Sequence, residues 1–162
     1  MFNVDDYVMY GRTGVCRVAE IKRGKFIGDL EKDYYVLNPV FMNNSTIMTP
    51  VRDRKISMRK IVTEEEVISL IECIPNQVTN WIDNDKQRNE SFLSLLKKGE
   101  CTDFIKIVNT INSESKERKL VGKKIYQTDK DTLREAERLL FQEFSMALGI
   151  LPDEVEEFIK NK

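Results

Sequence analysis

The chain has 162 residues, of which 41% are hydrophobic, 33% are charged and none is histidine, and its formal net charge is −1. This length fits one domain or two small ones, and the hydrophobic content is sufficient for a packed core. Without imidazole, Ser-His and Cys-His nucleophile pairs and histidine-ligated metals are excluded. The balanced charge argues against a protein that coats nucleic acid by bulk charge, although a local basic patch remains compatible with it.

The three cysteines, Cys16, Cys73 and Cys101, lie far apart and have no C-x-x-C spacing. We therefore expect neither a disulfide framework nor a metal site, and interpret all three as small buried side chains in a reducing compartment. The first residues lack the order of a signal peptide, and no apolar run approaches the ~20 residues of a membrane span. These features predict a cytoplasmic protein without membrane association.

Residues 1–58 have the pattern of short β-strands. The sequence predicts strands at residues 7–10, 15–21, 34–37 and 47–49, the last stopped by Pro50. A short glycine-bearing segment joins the first two runs, and the polar segment 22–32 suits an exposed hairpin tip. Several short strands so close together predict a small SH3-like or Tudor-like barrel.

Residues 59–162 have the period of α-helices. Thr63 and Glu66 form a capping-box pattern that opens a first helix, which ends at Pro75. Further helices are predicted from about residue 80 to 98, from about 102, from about 128 to 149, and from about 152 to 160, with residues 113–124 fraying into a loop. The fold class is therefore α+β, with an all-β domain followed by an all-α domain of about five helices.

The sequence gives little support for a catalytic site anywhere in the chain. Gly11-x-x-Gly14 lacks the GK[ST] ending of a phosphate-binding loop and precedes a strand, so a hairpin turn explains it better. The acidic clusters 64–66 and 153–154 begin predicted helices, where they complement the helix dipole. We expect no enzymatic activity, no cofactor and no metal.

Two features could contact nucleic acid. The first is Trp81, the only tryptophan, which is predicted at the first turn of the second helix, with Lys86 and Arg88 following on that helix. A lone tryptophan is usually part of a core, but polar neighbours surround this one, and an exposed ring beside cations can stack on bases or wedge between them.

The second feature is a basic run from residue 116 to residue 124. Its five cations, against the single acid Glu117, are Lys116, Arg118, Lys119, Lys123 and Lys124. Such a run is either solvated surface or a patch that contacts phosphates and positions DNA without reading its sequence.

Several patterns along the chain resemble the CarD/CdnL family of bacterial transcription regulators, whose N-terminal domain is similar to the polymerase-interacting domain of the transcription-repair coupling factor. No single pattern is specific, but they occur in the family's order. They are Phe2-x-Val4-x-Asp6-x-Val8-x-Tyr10 with Gly14-Val15, Tyr34-x-Val36-Leu37, Met48-Thr49-Pro50, Arg59-x-Ile61, Thr79-Asn80-Trp81, and Leu133-x-x-Ala136-x-x-Leu139-Leu140-x-x-Glu143.

The resemblance implies a non-catalytic regulator. It implies that the β domain docks on the RNA polymerase β subunit, and that the helical domain touches promoter DNA, without sequence specificity, at the upstream edge of the transcription bubble. The family tryptophan matching Trp81 wedges into the distorted minor groove and stabilises the open complex. The resemblance and the basic run together give a DNA-contacting set of Trp81, Asn80, Lys86, Arg88, Lys123 and Lys124.

The chain departs from the family pattern at the polymerase contact and beside the tryptophan. Met48, next to Ile47, occupies a position where some members have an arginine, and a second family arginine matches Arg23 or Lys25. We take these four residues as the polymerase-contacting set. The residues after Trp81 are not basic, so we expect weak DNA binding by the protein alone.

Two functions follow. The first is a monomeric regulator that binds polymerase and stabilises the open promoter complex. The alternative is an adaptor that docks on polymerase or another partner and makes no productive DNA contact. Burial of Trp81 under Leu70, Ile71 or Leu95 would favour the adaptor, whereas its exposure beside basic charge would favour the regulator.

Overall fold

The computed structural model describes residues 1–28 and 30–162, which divide into two compact units, Met1–Ile61 and Val62–Lys162. The division lies after Ile61 rather than after residue 58, because Met58–Lys60 form a strand that pairs with the first strand. An all-β unit is followed by an all-α unit, so the predicted α+β class is confirmed.

The N-terminal unit is one antiparallel sheet of five strands among the described residues. The strands are β1 (Tyr7–Tyr10), β2 (Gly14–Gly24), β3 (Lys32–Pro39), β4 (Ile47–Pro50) and β5 (Met58–Lys60). Their order in the sheet is β4-β3-β2-β1-β5, so three successive hairpins build most of it. The four runs predicted from sequence fall within β1 to β4, and β5 was not individually predicted.

Alternation along the strands places one set of side chains in a shared core. This core consists of Val8, Tyr10, Cys16, Val18, Tyr35 and Leu37, all buried. The pairing register of β2 with β3 shifts between Val18 and Glu20. A bulge of this kind increases local twist, which allows a small sheet to bend over its own core.

The C-terminal unit contains five α-helices among the described residues. They are α1 (Glu64–Cys73), α2 (Asp85–Lys98), α3 (Cys101–Leu120), α4 (Gln127–Leu148) and α5 (Pro152–Lys160), and a 3₁₀ turn, Ile74–Asn76, follows α1. Gly99 and Gly149, with φ of 76° and 68°, occupy the left-handed conformation just beyond α2 and α4, where glycine carries no steric penalty. Phe92, Leu96, Phe104, Ile107, Leu139 and Phe144 are among its buried side chains.

Two helix boundaries differ from the sequence prediction. Helix α2 begins at Asp85, with the side chain of Asn84 as its N-cap, rather than near residue 80. Helix α3 continues to Leu120, so most of the predicted fraying segment is helical. An ion pair one turn apart, Arg118 to Glu114 at 3.0 Å, supports that last part of α3.

The cysteines differ in their surroundings. All three lie in the described part of the chain; Cys16 and Cys101 are buried, as predicted, whereas Cys73 is exposed at the end of α1. Burial raises the pKa of the Cys16 thiol to about 12. None of the helices within residues 1–28 and 30–162 combines the length and the apolar content needed to cross a membrane.

Candidate nucleic-acid interface

Trp81 lies in an irregular segment between the 3₁₀ turn and α2, and not on the helix where the sequence placed it. Tertiary hydrogen bonds hold this segment. The Thr79 N–H donates to Thr110 Oγ1 at 3.1 Å, and Asn109 Nδ2 donates to the carbonyl oxygens of Ile74 and Gln77 at 2.6 and 2.9 Å. Helix α3 therefore fixes the backbone that carries the indole.

The indole is half-buried and packs against an aromatic ring and two cations. Its ring meets Phe92 edge to face, with centroids 6.4 Å apart. The Cζ atoms of Arg88 and Arg118 lie 4.3 and 5.5 Å from the indole centroid. Both distances are within the range in which a guanidinium is attracted to the ring quadrupole. We call Trp81 with the guanidinium groups of Arg88 and Arg118 the indole clamp.

The indole nitrogen has no hydrogen-bond partner in this position. Trp81 Nε1 is the one buried side-chain nitrogen or oxygen without a partner among the described residues. A buried donor left unpaired costs free energy that the same group would not lose in contact with water or a ligand acceptor. In the indole clamp, the Nε1–H group of Trp81 therefore donates no hydrogen bond, although it could donate one to water or to a ligand.

Arg88, the first of these cations, is held inside the helical unit. Its Nε and Nη2 donate to the two carboxylate oxygens of Asp129 at 2.9 and 2.8 Å, and Nη2 also donates to Asp85 Oδ1 at 2.8 Å. Its Nη1 donates to the carbonyl oxygen of Ile82 at 2.9 Å. The hydrogen bond that Arg88 donates to Asp129 is the main cause that raises the pKa of Arg88.

The prediction that Arg88 contacts DNA is not supported by this geometry. The side chain is only 3% exposed, and its donors are used by protein groups. A phosphate would have to replace a buried carboxylate in order to reach it. Arg88 therefore supports the loop and the ring of Trp81, and we remove it from the DNA-contacting set.

Arg118, the second cation, lies at the edge of an open groove. Its Nε donates to Glu114 Oε1 at 3.0 Å, and its Nη1 donates to the carbonyl oxygen of Lys124 at 3.3 Å. Its Cζ atom lies 5.5 Å from the ring centroid of Tyr126, which is 55% exposed. The groove, of about 660 Å³, is lined by Glu114, Glu117, Arg118, Val121, Lys123, Lys124 and Tyr126.

The other predicted DNA-contacting residues are exposed. Asn80 adjoins the indole in the same segment, Lys86 lies on the first turn of α2, and Lys123 and Lys124 follow the turn that ends α3. The structure thus brings Trp81 next to one end of the basic run through Arg118. Sequence reasoning placed Arg118 in that run without its ring contacts, and nothing in the local pattern singled out Tyr126.

The predicted polymerase-contacting residues divide between the hairpin tip and β4. Arg23 is exposed and pairs with Glu31 and Asp33 at 3.5 and 3.4 Å. Lys25 is exposed at the tip beyond β2. On β4, Ile47 packs against the core, so Met48 points to the opposite face of the sheet. Ile47 therefore contributes packing, and Met48, which is also partly buried, offers part of its side chain on the face away from this core.

The comparisons with known proteins assign the N-terminal unit. Residues 2–62 match the family model described as the CarD-like/TRCF RID domain, which is an RNA polymerase interaction domain. No curated protein matches the chain. The matched residues cover the five-stranded sheet, so the family resemblance predicted from sequence is confirmed there. The N-terminal unit of this chain is therefore a member of the CarD-like RNA-polymerase-interacting family.

Proposed function

We propose that this protein is a non-catalytic, monomeric transcription regulator that binds the RNA polymerase β subunit and stabilises the open promoter complex. The observation that carries the proposal is the match of residues 2–62 to the CarD-like/TRCF RID domain. Arg23, Lys25 and Met48 are the side chains we assign to the polymerase contact. They lie on β2, on the hairpin tip that follows it and on β4, and none of them belongs to the core cluster.

The helical unit would act on promoter DNA through Trp81. An indole that stacks on opened or kinked DNA, and not on closed duplex, stabilises the open state by its difference in contact energy. Such stacking contributes roughly 1–3 kcal/mol, or about 5- to 150-fold in the ratio of open to closed complexes. We assign Lys86, Lys123 and Lys124, together with Asn80, to contacts with the DNA backbone near the ring.

Polymerase docking is needed because we expect the helical unit alone to bind DNA weakly. The whole chain has a net charge of −1, and the residues directly after Trp81 are Ile82, Asp83 and Asn84. Weak contacts of this kind become effective when a docked neighbour holds them near their target at a high local concentration. Sequence-specific readout is not required, because polymerase brings the protein to promoters.

The test is the lifetime of the open promoter complex formed by the cognate polymerase. We expect wild-type protein to lengthen this lifetime several-fold and Trp81→Ala to lose most of the increase. Polymerase binding should be the same for both, since the substitution lies outside residues 2–62.

A matched control separates the indole from general loss of an apolar side chain. Leu151→Ala removes a different apolar side chain, one that is 65% exposed, from the segment before α5. It should behave as wild type. If wild type and Trp81→Ala gave equal lifetimes while both bound polymerase, the ring would have no part in the mechanism. Absence of polymerase binding by the wild-type protein would contradict the proposal as a whole.

The half-buried position of the indole favours a second candidate. In this candidate the protein is an adaptor that binds polymerase while Trp81 remains in the helical unit as a packing residue. The edge-to-face contact with Phe92 is the observation that supports it. The adaptor predicts polymerase binding without any change in open-complex lifetime, so the same experiment decides between the two.

A further inference from the structure

We propose that the indole clamp is a closed state of the DNA-contacting residue, and that Arg118 is the positioning residue that releases it when a phosphate takes over its guanidinium. The release of Trp81 onto DNA rests on the proposed function. The closed state itself is a property of the free protein and stands on the geometry of the helical unit alone.

The two arginines of the clamp differ in how firmly they are held. Arg88 is 3% exposed and its bidentate partner Asp129 is 4% exposed, so this guanidinium cannot leave without breaking a buried ion pair. The side chains of Arg118 and Glu114 are 22% and 19% exposed, and the second hydrogen bond of Arg118 goes to the carbonyl oxygen of Lys124, an exposed residue. Arg118 is therefore the movable half of the clamp.

The surroundings of Arg118 favour an anion as the agent of release. The open groove is lined by three cations, Arg118, Lys123 and Lys124, and by two acids, Glu114 and Glu117, so positive charge predominates where a phosphate would bind. A guanidinium that turns toward a phosphate moves away from the indole but keeps an aromatic neighbour, since Tyr126 lies 5.5 Å from the same Cζ atom. Backbone phosphates are the anions that DNA presents before any base is exposed.

The energy of the contact sets the size of the effect. At a partly exposed site, the free energy of a cation–π contact changes the ratio of closed to open indole by about 2- to 30-fold. Loss of Arg118 from the ring should therefore convert a largely closed population into one with a substantial open fraction. The unpaired Nε1 would gain access to water at the same time.

Fluorescence tests this directly because Trp81 is the only tryptophan of the chain. The measurement is the rate of collisional quenching of the indole by acrylamide in the free protein. We expect Arg118→Ala to raise the quenching constant at least twofold and to shift the emission to longer wavelength, and Arg118→Lys to fall between it and wild type. Lys119→Ala, with the same charge change in the last turn of α3, should match wild type.

The release step has its own probe. Inorganic polyphosphate supplies phosphates without bases, so it can engage Arg118 but cannot stack on the indole. We expect saturating polyphosphate to raise the quenching constant of the wild-type protein toward that of Arg118→Ala and to leave that variant unchanged. Absence of polyphosphate binding, or binding that leaves the wild-type quenching constant unchanged, would overturn the release step.

Two results would overturn the closed state. One is an indole in the free wild-type protein that is quenched as fast as in urea-unfolded chain. The other is equal quenching in wild type and Arg118→Ala when circular dichroism shows that both are folded. Should Arg118→Ala fail to fold, the wild-type measurements still decide. None of these measurements uses polymerase, so a failure of the clamp and a failure of the proposed function are distinguishable.

Discussion

At the scale of single residues, the Arg88–Asp129 pair shows what a buried charge does in this unit. The pair joins α2 to the start of α4 with two hydrogen bonds, and it places a guanidinium 4.3 Å from the indole centroid. Taking both charges out of water is costly, and the bidentate geometry together with the other hydrogen bonds of Arg88 offsets that cost. The pair therefore makes the position of Trp81 depend on the helical core.

Removing one charge of this pair should be strongly destabilising. Asp129→Asn leaves the guanidinium of Arg88 buried without its bidentate counter-charge, with only the exposed Asp85 still paired to it, and we expect the free energy of unfolding to fall by about 3–5 kcal/mol. Urea denaturation followed by circular dichroism measures this change. Asp85→Asn is the matched control, because Asp85 contacts the same guanidinium but is 65% exposed, and it should cost less than ~1 kcal/mol. Equal effects would contradict the assignment of the main role to Asp129.

The same residues show how far sequence reasoning reaches into a site. The composition singled out Trp81, and the charge pattern marked the basic run around Arg118. Arg88 and Arg118 look alike in sequence, since both are arginines on helices near exposed positions. Only the approach of α4, which brings Asp129 to Arg88, makes one of them structural and leaves the other at the groove.

At the scale of helices, the packing of α4 against α5 brings two carboxylates into each other's field. Burial raises the pKa of Glu137 on α4, and the charge of Glu156 on α5 raises it further. An acid whose pKa is higher in the folded state binds more protons there than in the unfolded chain. The stability that neutral Glu137 contributes is therefore lost as the pH rises from 4.5, the ordinary pKa of the carboxyl, through its raised pKa.

Glu137→Gln should remove this loss of stability with rising pH. We expect the free energy of unfolding at pH 7 to increase by less than ~1 kcal/mol, because the group is only half-buried, and to change less between pH 4 and pH 7 than in wild type. Urea denaturation at the two pH values measures both effects. Glu157→Gln, at an exposed position of α5, is the control for the loss of one carboxylate. A variant less stable than wild type at pH 7 would contradict the sign of this argument.

Helix boundaries were predictable where local contacts decide them. The capping box of α1 is present as the sequence indicated, with Thr63 Oγ1 accepting from the Glu66 N–H at 3.2 Å and Glu66 Oε2 accepting from the Thr63 N–H at 2.7 Å. The start of α2 was predicted too early. Residues 79 to 84 include several good N-caps, and the hydrogen bond from Thr79 to Thr110 of α3 takes the first of them out of the helix. That bond depends on tertiary structure, which no local pattern reports.

At the scale of the whole molecule, the proposed function requires the two units to be parts of one chain. Docking of residues 1–61 raises the concentration of residues 62–162 near the DNA, and a tethered weak binder can gain 10²- to 10⁴-fold in this way. We therefore expect the two units, added as separate polypeptides, not to lengthen the open-complex lifetime at a concentration where the full chain does. The measurement is the same promoter assay.

Competition provides the control for this experiment. Residues 1–61 alone contain the whole five-stranded sheet, so they should displace the full chain from polymerase and shorten the open-complex lifetime that it supports. A separate helical unit that gave the full effect at the same concentration would show that tethering is unnecessary. That outcome would mean that the DNA contact, and not the polymerase contact, supplies the affinity for the promoter.

Because its cysteines differ in burial, the protein has a native site at which a dye can be attached. Of the three thiols, all within the described residues, Cys73 is the exposed one, and Cys16 with a pKa of about 12 stays protonated at neutral pH. A maleimide dye should therefore label the native protein at the end of α1 without any engineered cysteine. Energy transfer from that dye to an acceptor on promoter DNA would then follow the helical unit in real time while the DNA strands separate.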